Sequence, residues 1–371
     1  MLSDLKDTHI KELACVFDPG SRPTFVTLYM NMERRDERFL EKRKSMCRTV
    51  LRGERALLDN FNRTMEKVEK LADEKEREHG QKGLAVFASD SQGFLKAFKL
   101  ALPVENLLVV DASPYIRPLA ELVEDYETFG LILLDSHRAK LYVVSSGMVE
   151  YEDKLAEDIM NKHKKGGWSQ ARFQRLRKGA IERFMNEVSE AASKLFSKDD
   201  VRKIVIAGPG EAKTMLSGTL HFDMRQKIAG IIDTSFDGSE SGLVCRAEGL
   251  IYQRETETVE SNLERLRGEI LRHGLAVYGM METANAVRNG QAELLLILRG
   301  CRLRGWVCEK CQLFGMGAAA KCPGCSGAVS EADVIEEITE LAERSDTKIE
   351  FVDDSTLLNE LGGVGGFLRY R

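Results

Sequence analysis

Apolar positions along the chain fall into two rhythms: short continuous runs and longer stretches with helical spacing. TFVTLYMN (24–31) and GLAVFAS (83–89) read as strands on either side of a charged helical stretch that continues to about residue 79. GLILLD (130–135) and KLYVV (140–144) are β-rich runs joined by the turn SHRA, which signals a hairpin. From Ser169 onward Phe173, Leu176, Ala180, Phe184, Val188 and Leu195 recur at steps of three, four or seven, predicting an amphipathic helix with Ser169 as its N-cap. KIVIAGPG (203–210) is an apolar strand turning through Gly-Pro-Gly into the helical EAKTMLS. Val259, Leu263, Leu266 and Ile270 make one stripe of a helix over 256–273, closed by Gly274. AVYGMMETANAVRNGQAELLLILRG (276–300) reads as helix, Asn-Gly turn and buried strand, and a helix (331–344), the strand TKIEFV (347–352) and a glycine-rich GGVGGFLRYR follow.

These elements divide into three segments. Residues 1–125 predict an α+β domain, 126–255 a second domain opening on the hairpin, and 256–371 a helix followed by alternating α and β elements, as in a small α/β/α sandwich. A length of 371 residues suits such a multidomain α/β chain, and 43% hydrophobic residues supplies a core for each part. No apolar run approaches the roughly 18–20 residues that span a bilayer. MLSDLKDTHIKEL carries charges where a signal peptide is apolar, so the expectation is a cytoplasmic protein with no membrane partner. The formal net charge of −5 argues against a chain coated in nucleic acid, and any RNA contact must come from local basic patches.

One such patch is KHKKGGWSQARFQRLRK (162–178), with seven Lys or Arg and no acid. Its Gly166 and Gly167 lie just ahead of the predicted helix, where free backbone amides and the positive end of the helix dipole stabilise an anion or a developing oxyanion. Two glycines before a helix also make an ordinary turn, and a Lys-rich loop also makes a solvated surface. Residues 33–55 hold nine Lys or Arg against five acids, and both a solvated two-helix hairpin and a nucleic-acid face fit that pattern. The Gly-Pro-Gly turn at 208–210 fits a tight strand-to-helix connection better than a phosphate cradle. Only Asp135 ends the first strand of the second segment, which does not make the carboxylate cluster of a nuclease.

Cys308, Cys311, Cys322 and Cys325 form CEKC, ten residues, then CPGC. Two short chelating knuckles give four thiolates in tetrahedral array, which suits structural Zn(II) and leaves no open position for catalysis. Rubredoxin-like iron is the alternative metal for a CPxC knuckle. Cys15, Cys47, Cys245 and Cys301 are expected to be small buried hydrophobes.

The stretch around the glycine pair resembles the catalytic loop of the archaeal and eukaryotic class-I peptide release factors, where Gly-Gly-Gln lies between a Lys-His-Gly-Arg-like lead and a Ser-x-x-Arg-Phe-x-Arg-Leu-Arg helix. Lys162, His163, Gly166, Gly167, Ser169, Arg172, Phe173, Arg175, Leu176 and Arg177 fit, and Trp168 stands in the place of the glutamine. The Ala-Gly-Pro-Gly turn with Lys213 resembles the family's middle domain, which implies a ribonuclease-H-like fold. The cysteine insert (301–329) and the closing Gly-Gly-x-Gly-x-x-Leu-Arg-Tyr resemble its C-terminal domain, including the archaeal zinc insert. The first segment resembles the family's N-terminal domain only by position. Neither the Asn-Ile-Lys-Ser tetrapeptide nor the Tyr-x-Cys-x-x-x-Phe motif used for stop-codon reading is present.

The resemblance implies a tRNA-shaped occupant of the ribosomal A site that meets rRNA and P-site tRNA, docks a translational GTPase through its C-terminal domain, and does not bind DNA. It implies Gly166, Gly167 and Trp168 as the catalytic loop of a peptidyl-tRNA hydrolase, with Lys162, His163, Lys164, Lys165, Arg172, Arg175 and Arg177 on RNA. Trp168 keeps the backbone amide but loses the amide fork of glutamine, offering only an indole N–H. Three outcomes follow for it: retained hydrolysis, base stacking in a non-catalytic ribosome-binding factor such as the Pelota-like proteins, or packing against its own domain.

Overall fold

The structure, a computed structural model, describes residues 2–4, 7–34, 36–75, 81–100, 102–125, 128–145, 148–156, 168–197 and 201–370. It is a mixed α/β chain with two compact units, one of residues 1–125 and 262–371 and the other of residues 126–261.

The first segment supplies β1 (Leu2–Asp4), α1 (Asp7–Ala14), β2 (Phe25–Asn31), α2 (Glu37–Leu51), α3 (Arg55–Lys75), β3 (Gly83–Ser89), β4 (Phe94–Leu100), β5 (Leu107–Asp111) and α4 (Arg117–Asp125). Its sheet has the order β1-β4-β3-β2-β5, with β1 parallel to β4 and the other pairs antiparallel. All seven residues of β3 are buried because helices cover both of its faces. Phe61, Met65, Val68 and Ala72 of α3 pack on one face, so the predicted charged hairpin is amphipathic rather than wholly solvated.

The middle unit contains β6 (Phe129–Leu134), β7 (Arg138–Ser145), β8 (Met148–Ala156), α5 (Trp168–Phe196), β9 (Lys203–Gly208), α6 (Ala212–Thr219), α7 (Phe222–Gln226), β10 (Ile228–Asp233) and the first part of α8 (Glu240–Leu271). Its sheet order is β10-β9-β6-β7-β8: an antiparallel meander of β6, β7 and β8 extended by β9 and β10, which run parallel to β6. Phe184, Met185, Val188, Ala192 and Phe196 of α5 cover one face. Leu243, Val244, Ala247 and Ile251 of α8 cover the other. At Gly130 an added Cβ would stand 2.7 Å from the Phe196 ring, so the absence of a side chain lets α5 lie close to the sheet.

Two boundaries differ from the sequence expectation. The helix placed at 256–273 is continuous from Glu240, because its earlier turns carry the apolar stripe that covers the middle sheet. At its end the left-handed residue is His273 (φ 49°) rather than Gly274, whose N–H instead donates to the Glu269 carbonyl at 2.8 Å.

The third segment adds β11 (Ala276–Tyr278), α9 (Met280–Arg288), β12 (Ala292–Leu298), β13 (Arg304–Cys308), β14 (Leu313–Met316), β15 (Ser330–Asp333), α10 (Val334–Arg344), β16 (Lys348–Val352), α11 (Thr356–Glu360) and β17 (Val364–Leu368). The sheet order is β11-β17-β12-β16, with the three-stranded β14-β13-β15 as the insert. First and third segments share one apolar core, in which Ile10, Leu13, Phe98, Ile116 and Leu119 join Ala284, Leu295, Val334, Ile335, Ile338 and Phe351. Among the described residues no helix is long and apolar enough to cross a membrane.

Candidate functional site

Helix α5 carries the basic stretch. It is 29 residues long, about 43 Å at 1.5 Å per residue, and of its described side chains the first to be fully buried is Phe184. The turns from Trp168 to Arg183 therefore precede the half that packs on the sheet. Leu176, expected on the apolar stripe, is 59% exposed because it lies in those turns. Arg175 is exposed and Arg177 half-buried, with no hydrogen-bond acceptor for the Arg177 Nε among the described residues. The helix begins at Trp168, one residue ahead of the expected N-cap Ser169. The N–H groups of its first turn have no intrahelical acceptor, which is the backbone condition for holding an anion. Lys162, His163, Lys164, Lys165, Gly166 and Gly167 lie outside the described residues, as do the side chains of Trp168 and Arg172.

At the carboxyl ends of β6, β9 and β10 the polar groups are already engaged. Asp135 accepts the backbone N–H of His137 (2.9 Å) and Arg138 (2.8 Å) and the Arg138 guanidinium (2.9 Å). Burial pushes its pKa up, but these donors outweigh it and hold the carboxyl below the ordinary aspartate range. Lys213 donates to the Gly210 carbonyl at 2.7 Å and pairs with Asp233, bracing the Gly-Pro-Gly turn. Gly208 there has φ 151°. Both carboxylates thus hold neighbouring turns in place.

The four cysteines of the insert converge. Their sulfur atoms all lie within 4.8 Å of one another, with Cys308 and Cys325 3.5 Å apart and Cys311 and Cys322 3.4 Å apart. Each knuckle closes the same way: the residue after its second cysteine, Gln312 (φ 56°) or Ser326 (φ 57°), is left-handed. That turn aims backbone N–H groups at sulfur. Burial keeps the Cys308 and Cys311 thiols raised, whereas at Cys322 the amides of Cys325 and Gly324 overcome burial and bring the thiol down to about 7. Four soft donors with amides prepared for thiolate charge can hold a metal ion, and they leave no donor position for a substrate. Trp306, Leu313 and Val329 close an apolar shell over the sulfurs.

The other cysteines differ from expectation. Cys15 and Cys245 are exposed, while Cys47 and Cys301 are half-buried. Cys245 projects from the outward side of α8, whose inward residues are Leu243, Val244 and Ala247.

One polar cluster was not anticipated. Glu336, Glu337 and Glu340 are each 3–4% exposed on α10. Glu336 accepts the N–H of Ile116 and, at 3.2 Å, that of Arg117, capping the start of α4 from a distant part of the chain. Ser113 Oγ donates to Glu340 at 2.8 Å. The Arg117 guanidinium donates in turn to the carbonyls of Cys301 and Leu298. In sequence these glutamates form the polar side of an amphipathic helix, which reads as solvated; only the fold brings the first segment over them.

A profile described as Bacterial archaeo-eukaryotic release factor family 10 matches residues 114–248, and one described as eRF1 domain 3 matches residues 252–371. Peptide chain release factor subunit 1-1 of Methanosarcina acetivorans is 30% identical over 307 residues, which is 73% of this chain and 74% of the relative. Peptide chain release factor subunit 1 of Thermococcus onnurineus is 28% identical over 336 residues, 80% of each chain. Among solved structures, S. cerevisiae Dom34 superposes with a TM-score of 0.45 at 14% identity, covering 78% of this chain and 79% of that one.

Proposed function

The chain belongs to the archaeal and eukaryotic class-I release-factor-related family, and from that premise we propose that it enters the ribosomal A site and releases nascent peptide without reading a stop codon. It is a release-factor-like translation factor; the refinements concern what its loop does. The observation that carries the proposal is the Gly166-Gly167-Trp168 sequence running straight into α5, whose first residue is Trp168. The Trp168 N–H therefore belongs to the turn with unsatisfied donors.

Peptide release is attack by water on the ester between peptide and tRNA. The water oxygen bonds to the carbonyl carbon, the carbonyl oxygen gains negative charge, and the tRNA hydroxyl leaves with a proton. A backbone N–H aimed at that oxygen contributes about 3 kcal/mol without a titrating side chain. Gly166 and Gly167 permit close approach to the ester, while Arg172, Arg175 and Arg177 with Lys162, His163, Lys164 and Lys165 bind rRNA and P-site tRNA phosphates. Three domains, at 1–125, 126–255 and 256–371, serve decoding-site entry, the loop and partner docking. The middle sheet, an antiparallel meander with two parallel strands added beside its first, supports the ribonuclease-H-like reading. The α/β/α C-terminal domain docks a translational GTPase, and its four thiolates hold one structural Zn(II).

Trp168 favours a second reading. An indole in a Lys- and Arg-rich loop stacks on bases, typically for about 1–3 kcal/mol, and would make the chain a silent occupant of stalled or idle ribosomes.

Release of labelled peptide from ribosomes carrying P-site peptidyl-tRNA separates the two. Release by the wild type at equal rates on stop and sense codons, abolished in Gly167→Ala, supports the hydrolase. Tight ribosome binding without release, with activity gained in Trp168→Gln, overturns it in favour of the silent occupant.

A further inference from the structure

The four-cysteine insert is joined to the first segment through Glu309, between Cys308 and Cys311. A knuckle does not require this residue to be buried: Lys310 beside it is exposed, and so is Pro323 at the equivalent place in the second knuckle. Glu309 is nevertheless 2% exposed. Its N–H donates to Ser21 Oγ at 2.9 Å. Ser21 belongs to a preformed turn, with φ 51° and Asp18 accepting from the Gly20 N–H (2.7 Å) and Thr24 Oγ1 (3.1 Å).

Its carboxylate is poorly satisfied there. One oxygen accepts from Gln312 Nε2 at 2.8 Å, and the other, Oε1, is buried with no hydrogen-bond partner among the described residues. A buried polar oxygen without a donor is driven toward water, and a free CEKC segment would turn it outward. What prevents this is the fixed knuckle. Gln312, the left-handed residue that closes it, also accepts from Arg344 of α10, the helix whose Glu336 and Glu340 hold residues 113–117.

We propose that the metal-bound knuckle acts as a docking element that seats the turn at residues 18–24 of the first segment, and that metal loss releases this turn by letting Glu309 swing into water. The proposal rests on the reading that the four thiolates hold a metal. Coordination fixes the positions of Cys308 and Cys311, hence the Glu309 backbone, hence the bond to Ser21. Without it the stored cost of burying Glu309 drives local undocking, while the apolar core shared by the two segments stays intact.

Hydrogen exchange measured by mass spectrometry on the full chain, before and after metal removal and with metal content assayed in parallel, tests this. The expected result is exchange about ten-fold faster or more at residues 18–24 and 304–331, with β3, β12 and the middle sheet unchanged. Glu309→Met, which keeps the backbone bond but removes the unsatisfied buried oxygen, should retain its metal and show little quickening at 18–24 on metal removal. Should that variant not fold, Ser21→Ala should retain metal yet exchange faster at 18–24 even when loaded. Protein purified without metal overturns the proposal at its premise, leaving the ribosomal reading untouched. Unchanged protection at 18–24 in the metal-free wild type overturns it directly, as does an equal response in Glu309→Met or no change in Ser21→Ala. Quickening throughout β3 and β12 would make the metal a general stabiliser and overturn it too.

Discussion

Replacing Glu336 by glutamine converts a buried carboxyl into a neutral group of nearly the same shape that can still accept the Ile116 and Arg117 amides. Burial pushes the Glu336 pKa from 4.5 up to about 8, against the pull of those amides and of the Arg117 guanidinium, while Asp333 adds to the rise. The folded chain therefore keeps this proton to about pH 8, whereas the unfolded chain gives it up near 4.5. The stabilisation is complete below the unfolded value and is lost as pH climbs through the folded one. At about 1.36 kcal/mol per pH unit, a shift from 4.5 to about 8 sets a ceiling of about 5 kcal/mol. Glu337 and Glu340, raised by burial and by neighbouring carboxylates, remain in both proteins, so both lose stability toward alkaline pH and the wild type does so more steeply. Denaturant unfolding across this range can be followed by Trp306, the sole tryptophan left in a Trp168→Phe background. Parallel pH profiles, or a wild type that gains on Glu336→Gln as pH rises, would show an ionised Glu336 acting as a charged cap of α4 and would refute the reasoning.

Metal analysis should find about one Zn(II) per chain, with chelation loosening the insert while the unfolding temperature of the middle unit stays unchanged; visible absorbance with equimolar iron would assign the knuckles to iron instead. Gly208→Ala should destabilise the middle unit by roughly 3 kcal/mol or more in chemical denaturation, because φ 151° suits glycine and an added Cβ would stand 1.8 Å from the Leu134 carbonyl oxygen. Its metal content should stay at the wild-type level, and wild-type stability in this variant would mean that β9 can shift away from β6 at low cost.

The strands and knuckles were legible because their signals are local. The seven residues of GLAVFAS form β3 without a boundary error, and CEKC with CPGC foretold sulfurs within reach of one ion. The misreadings came where one element answers to different neighbours along its length. Leu176 has helical spacing yet precedes the part of α5 that meets the sheet, and α8 buries its early turns on the middle sheet while only Leu266 is fully buried further on. Glu336, Glu337 and Glu340 could not be placed from sequence at all, since their burial depends on residues 113–117, more than 200 positions away. Glu309 was hidden for a related reason: a charged residue inside a knuckle reads as solvated until Ser21 is found above it.

That buried acidity also bears on how an overall acidic chain can meet RNA. The formal charge of −5 counts Glu336, Glu337 and Glu340 as ionised, whereas burial favours their protonated forms, and every proton kept there removes one negative charge. Most of the described cations of the two basic stretches, by contrast, are in water: Arg175 and Lys178 on α5, and Arg38, Lys42, Arg48, Arg52 and Arg55 along α2 and the start of α3 are all exposed. Protonated glutamates inside and these exposed cations outside give a surface potential less negative than the composition suggests, with basic patches on both compact units. Ribosome binding of the proposed kind should accordingly weaken as salt rises, since each phosphate contact releases counterions. A binding constant indifferent to salt would place the interaction on apolar surface instead, and would count against both readings of the Gly-Gly-Trp loop together.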